Sequence, residues 1–128
     1  MAINQQNYAG TPLAHGARIS TANTNRDGTG TLGTVLQAGS TGARVDSISI
    51  AATGTTTAGM VRLFVNNGTT TLLLTEVPVT AITPSGTVPA FRAVLSNLAL
   101  VIPPNGSLRA STHNAESFDV VPMLAGGF

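Results

Sequence analysis

Apolar residues recur at every second position in short runs along this chain, and turn formers break it about every ten residues. That alternation puts successive side chains on opposite faces of an extended backbone, and it cannot build the stripe of an amphipathic helix. Ala17, Ile19 and Thr21 share a parity, as do Leu32, Thr34 and Leu36, then Ile48 and Ile50 within the run Val45 to Ala51. Val61, Leu63 and Val65 follow, then Leu72 to Val79, Phe91 to Leu95, Leu98 to Ile102, Leu108 with Ala110, and Phe118, Val120 and Leu124. No segment sustains a helical period with caps. Eight or nine short strands with regular turns predict an all-β sandwich or barrel, and eight strands without helices fit a jelly roll. The 128 residues are the length of one domain, and 42% apolar content is enough for a packed core.

The punctuation refines this picture. Residues 1–14 read as an N-terminal arm, rich in Asn and Gln, with isolated apolar anchors at Ile3, Tyr8 and Leu13. Such an arm either frays or orders against a partner through those three residues. Residues 15–128 then form the β domain. Val45 falls on the parity opposite to Ile48 and Ile50, which predicts a bulge or burial on both faces. Asn67-Gly68 between two apolar runs predicts a hairpin, since both residues tolerate positive φ. Pro78 cannot donate to a ladder, which assigns its end of the strand to an edge or a bulge. Arg62, Arg92 and Arg109 sit mid-strand among alternating neighbours and are expected on outward faces with their charge in water.

Only 9% of the residues are charged, against roughly 25% in an average domain, and there is no lysine, cysteine or tryptophan. Without lysine there is no Walker A loop, Schiff base or Ser-Lys dyad, and without cysteine no disulfide or thiolate chemistry. Gly28 to Gly33 superficially matches a dinucleotide fingerprint but lacks the strand–turn–helix setting, so it reads as a loop entering a strand. His113, Glu116 and Asp119 are close enough in sequence to suggest a metal or acid–base set, but alternation along a strand splits them between faces, leaving a solvated loop. No Gly-x-Ser-x-Gly elbow is present. The expected chain is not an enzyme and carries no cofactor or metal.

The six arginines are spread along the chain rather than clustered, which argues against nucleic-acid binding. No aliphatic run approaches the roughly 20 residues that span a bilayer, and the N-terminus has no signal-peptide pattern. A soluble protein without membrane contact is expected. Strand edges are the unresolved element, because natural sheets often guard them with lysine. Pro78, Pro89 and Pro122 can protect some. The rest need loops, the arm or other subunits, which favours a homo-oligomer or a subunit docked on a larger surface.

Several segments together resemble small structural proteins of tailed-bacteriophage heads. They are Gly39-Ser40-Thr41-Gly42-Ala43-Arg44-Val45-Asp46-Ser47-Ile48, Val61-Arg62-Leu63-Phe64-Val65, Ile102-Pro103-Pro104-Asn105-Gly106, Phe118-Asp119-Val120-Val121 and the closing Gly126-Gly127-Phe128. The likeness covers roughly residues 30–128 and is one of texture and order, with no single diagnostic motif. The class it resembles is that of capsid decoration, or cement, proteins. The resemblance implies a β-sandwich or jelly-roll subunit, often trimeric, that binds the major capsid protein on the virion surface, is made in the host cytoplasm and has no catalytic residues. The alternative on the same architecture is a receptor- or carbohydrate-binding module of a phage tail or fibre.

Overall fold

The computed structural model describes Leu13 and residues 15–128. They form nine strands: β1 (Ala17–Ile19), β2 (Gly33–Gln37), β3 (Ala43–Ala52), β4 (Gly59–Asn66), β5 (Thr71–Val79), β6 (Arg92–Leu95), β7 (Leu100–Ile102), β8 (Ser107–Thr112) and β9 (Phe118–Gly127). Every strand pairing is antiparallel. The front sheet runs β1-β9-β3-β6, with β7 also on β3, and the back sheet runs β2-β8-β4-β5. The two pack face to face as a β-sandwich. Ile48, Ile50, Phe118 and Val120 from the front meet Val35, Val61, Leu63 and Leu108 from the back in one fully buried cluster. Phe91 stands edge-on to Phe118, with ring centroids 6.3 Å apart at 86°, a favoured aromatic geometry.

β6 and β7 lie end to end along one side of β3: β6 pairs with Ile48–Ala51 and β7 with Ala43–Val45. Between them Asn97 (φ 56°) and Ala99 (φ 46°) adopt left-handed backbone. This jog lets the Leu98 amide donate to the Asp46 carbonyl at 2.9 Å.

The irregularity expected at Val45 is present. The β3–β9 register slips on both sides of Ser47, where Val45 opposes Ala125, Ser47 opposes Leu124 and Ile48 opposes Pro122. Asp46 is thus an extra residue on β3 and Met123 an extra residue on β9. The double slip keeps Val45 in the core beside Ile48 and Ile50. It also corrects one expectation: Leu124 does not share the buried face of Phe118 and Val120 but is 49% exposed, because the extra residue at Met123 shifts its alternation.

The Asn67-Gly68 hairpin joins β4 to β5. The Asn67 amide donates to the Thr70 carbonyl, the Asn67 Oδ1 accepts from the Thr69 and Thr70 amides, and Gly68 takes φ 102°. Pro78 lies, as expected, on an edge strand, β5. Pro122 lies in β9 beyond Val120, where the pairing of β9 with β1 ends.

Candidate interaction surfaces

Arg62 corrects the largest expectation. It is not on a solvated face: its side chain is fully buried. β4 is buried on both sides, because Val61 and Leu63 enter the core while Arg62 and Phe64 lie on the opposite face, also inaccessible. The segment 20–32 folds over this outer face as a strap. Its backbone is tied to β8, with the Asn23 amide donating to the Thr112 carbonyl at 2.8 Å. Taking a guanidinium out of water costs about several kcal/mol unless it is well paired. Arg62 donates from Nε to Glu76 Oε2 at 2.8 Å, from Nη1 to the Asn23 carbonyl at 3.3 Å, and from Nη2 to His113 Nδ1 at 3.2 Å. Since Arg62 has no acceptor, His113 receives at Nδ1.

Glu76 Oε2 also takes Arg26 Nε at 2.8 Å, so one carboxylate oxygen joins β4 to the strap. The hydrogen bonds from Arg26 and then Arg62 hold the Glu76 carboxyl below its usual range. Asn23 organises the strap from within. Its Nδ2 donates to the Thr29 and Thr31 carbonyls, both at 2.9 Å, and its Oδ1 accepts from the Asn25 amide at 3.0 Å. Gly30 is required here, since it takes φ 85° and a Cβ at that position would stand 2.7 Å from Asn23 Nδ2. The Gly28 to Gly33 stretch is therefore a strap closing on Asn23 and leading into β2. This polar assembly holds a loop down.

The residues weighed as a catalytic or metal set are separated. His113 serves Arg62. The Glu116 carboxylate accepts from the Thr57 amide at 2.9 Å and the Thr57 hydroxyl at 2.7 Å. Asp119 pairs with Arg18 across β9 and β1 at 2.6 Å, which holds its carboxyl low. Among the described residues no three His, Cys, Asp or Glu side chains gather to hold a metal, and no helix is long and apolar enough to cross a membrane. Of the remaining mid-strand arginines, Arg92 is exposed and Arg109 is half-buried, with its Nε on Ser107 Oγ at 2.9 Å.

What the surface does offer is aliphatic. On the outer face of the front sheet, Val94 and Val121 flank Ser49 in register, Val101 stands beside Arg44, and Leu124 stands beside Ser47. All four are exposed, as is Met123, and Val101 is the most exposed at 60%. A second apolar site is Leu72-Leu73-Leu74 on β5, where all three leucines are exposed. Leu73 lies beside Phe64 on the outer side of β5 and Leu72 beside Val65 on the inner side, so the front-sheet side chains are the ones brought together in register, and exposed apolar groups of that kind mark candidate interaction sites. The leucine run was legible in the sequence, since three consecutive leucines on an alternating strand cannot all face one core. The front-face patch was not, because it depends on the register slips around Ser47.

Of the three candidate arm anchors, Ile3 and Tyr8 lie outside the described residues. Leu13 is half-buried, packed against the core cluster, with its side chain over Gly127 at the end of β9. No family model, curated protein or solved structure matches the chain.

Proposed function

We propose that this chain is a non-enzymatic virion structural protein that binds the outer surface of a tailed-phage capsid and stabilises it, acting as a homotrimeric decoration protein with the major capsid protein as partner. The observation that carries the reading is the set of exposed apolar side chains on the outer face of the front sheet, Val94, Val101, Val121 and Leu124, interleaved with Ser47 and Ser49. These side chains dock through shape and apolar contact, a part of the binding that depends little on salt, while Arg44, Arg92 and the Arg18–Asp119 pair border them. The connectivity supports the same class. Counting β6 and β7 as one interrupted strand gives eight strands in two sheets of four, and we read this as a jelly roll. The N-terminal arm, with Ile3 and Tyr8 beyond the anchored Leu13, adds contact area on the capsid.

The test is rebinding to capsids stripped of their decoration. Stoichiometric, symmetric occupancy that survives high salt is expected. Removal of residues 2–12, which spares the packed Leu13, is expected to lower occupancy while the melting curve stays close to that of the intact chain. Absence of binding to any stripped capsid, together with a specific signal on a glycan array, overturns the reading in favour of a receptor-binding module.

A further inference from the structure

We propose that His113 is a proton-operated latch for the 20–32 strap: neutral, it helps to hold the strap down through Arg62, and protonated, it lets the strap go. The latch operates whether or not the chain decorates a capsid.

Arg62 has only donors to offer, and its side chain is fully buried. Its Nη2 donates to His113 Nδ1 at 3.2 Å, a bond that exists only while that nitrogen keeps its lone pair. A proton on Nδ1 turns the acceptor into a second cation facing the guanidinium. The ring then either stays, cation against cation, or turns away and leaves a buried N–H without a partner. Both outcomes cost free energy beside a guanidinium closed off from water. The surroundings have no spare charge to offset the proton. Arg26 and Arg62 already share one carboxylate oxygen, Glu76 Oε2, so two guanidiniums stand against one carboxylate before His113 is charged. Glu116, in the same connection as His113, is taken up by Thr57. Asp27 in the strap is taken up by Thr29, and Asp119 on β9 by Arg18.

What Arg62 loses, the strap loses. Arg62 reaches the strap twice, directly through Nη1 on the Asn23 carbonyl at 3.3 Å and indirectly through Glu76, which also takes Arg26. The backbone bond from Asn23 to β8 ends on Thr112, the residue before His113. His113 is half-buried, so protons reach it while the strap is closed. Imidazole is also the side chain that takes up charge between about pH 8 and 5. The acids around it keep their charge over that range: hydrogen bonds from Arg26 and then Arg62 hold the Glu76 carboxyl low, Thr29 holds Asp27 low and Arg18 holds Asp119 low. The other histidine, His15, lies before β1 with its Nδ1 on the Leu13 carbonyl, and it serves as a control.

Hydrogen exchange of the native chain at about pH 7.5 and about pH 5.5, corrected for the intrinsic pH dependence of exchange, tests the latch. Protection of the Asn23 amide is expected to fall about tenfold at the lower pH, while the Ile50 amide in β3 keeps its protection. The fall is expected to follow the titration of the His113 ring, read by NMR on the same samples. His113→Gln keeps a side-chain acceptor and has nothing to titrate, so no pH-dependent fall is expected in it. His15→Gln is expected to respond like the native chain. Equal protection of Asn23 at the two pH values overturns the latch. So does a fall that persists in His113→Gln or vanishes in His15→Gln, and so does a parallel fall at Ile50, which signals global unfolding. If His113→Gln does not fold, the native titration decides: a fall whose midpoint departs from that of the His113 ring overturns the latch.

Discussion

The two outer faces of the sandwich are finished in opposite ways. The back sheet is covered in part by its own chain: the 20–32 strap closes over Arg62, and the burial of a full charge is offset by Glu76, His113 and the Asn23 carbonyl. On the front sheet's outer face Val94, Val101, Val121 and Leu124 stand open to water, beside Arg44, Arg92 and the Arg18–Asp119 pair. Polar anchors suit the covered face because a loop has backbone groups that must be satisfied and directional bonds fix one position for it. Aliphatic side chains suit the open face because they tolerate water singly and reward any flat apolar surface laid against them. One side of this molecule is thus tied down by buried polar bonds, and the other presents the apolar side chains proposed above to bind a partner.

Substitutions separate the two roles. Arg62→Ala is expected to have the largest effect, a loss of about 3 kcal/mol in urea unfolding, because it leaves a cavity under the strap and removes three anchors at once. A loss below about 1 kcal/mol would mean that the strap contributes little to the fold. Asn23→Ala is expected to cost about 1–2 kcal/mol by stranding the Thr29 and Thr31 carbonyls. Hydrogen exchange should rise across residues 20–32 before it rises in β3.

Acid should loosen the covered face before the core. The folded Glu76 carboxyl is held low by Arg26 and Arg62, so its stabilising effect is complete above its ordinary value of 4.5 and is lost as pH falls through the lowered folded value. Exchange at the Asn23 amide, measured against pH, is expected to increase over that window. Glu76→Gln should flatten the dependence. An acid response unchanged in Glu76→Gln would assign it to another group.

Two smaller effects complete the contrast. Ala99→Gly is expected to gain at most about 1 kcal/mol, since the left-handed φ of 46° between β6 and β7 suits glycine while the unfolded chain gains freedom. Val94→Ser with Val121→Ser is expected to shift the melting free energy by no more than about 0.5 kcal/mol per site, because both side chains are already exposed. If the proposed capsid-binding role holds, the same pair abolishes occupancy in the rebinding assay. A large stability loss from this pair would place the front face among the folding contacts instead.

Several features were legible from local rules. The Asn67-Gly68 hairpin, the edge position of Pro78 and the irregularity at Val45 each follow from the conformational limits of a few residues, and those limits act wherever the residues sit. His113 and Glu116 lie in the connection between β8 and β9 rather than on a strand, and what parts them from Asp119 is their distant partners Arg62, Thr57 and Arg18, which alternation does not reveal. Arg62 was misjudged for the same reason. Its alternating neighbours place it correctly on the outward side of β4, but whether that side meets water depends on a segment some forty residues earlier in sequence.

The sequence by itself determined the strand content, the turns and the choice of a two-sided β architecture, since period-two alternation and φ restrictions are properties of each short stretch. It also determined that no lysine or cysteine chemistry is available. Only the tertiary structure decided which outward face is covered. Burial of Arg62, the shared carboxylate of Glu76 and the outward turn of Leu124 all arise from contacts between distant segments, and alternation states which way a side chain points without stating what it will meet.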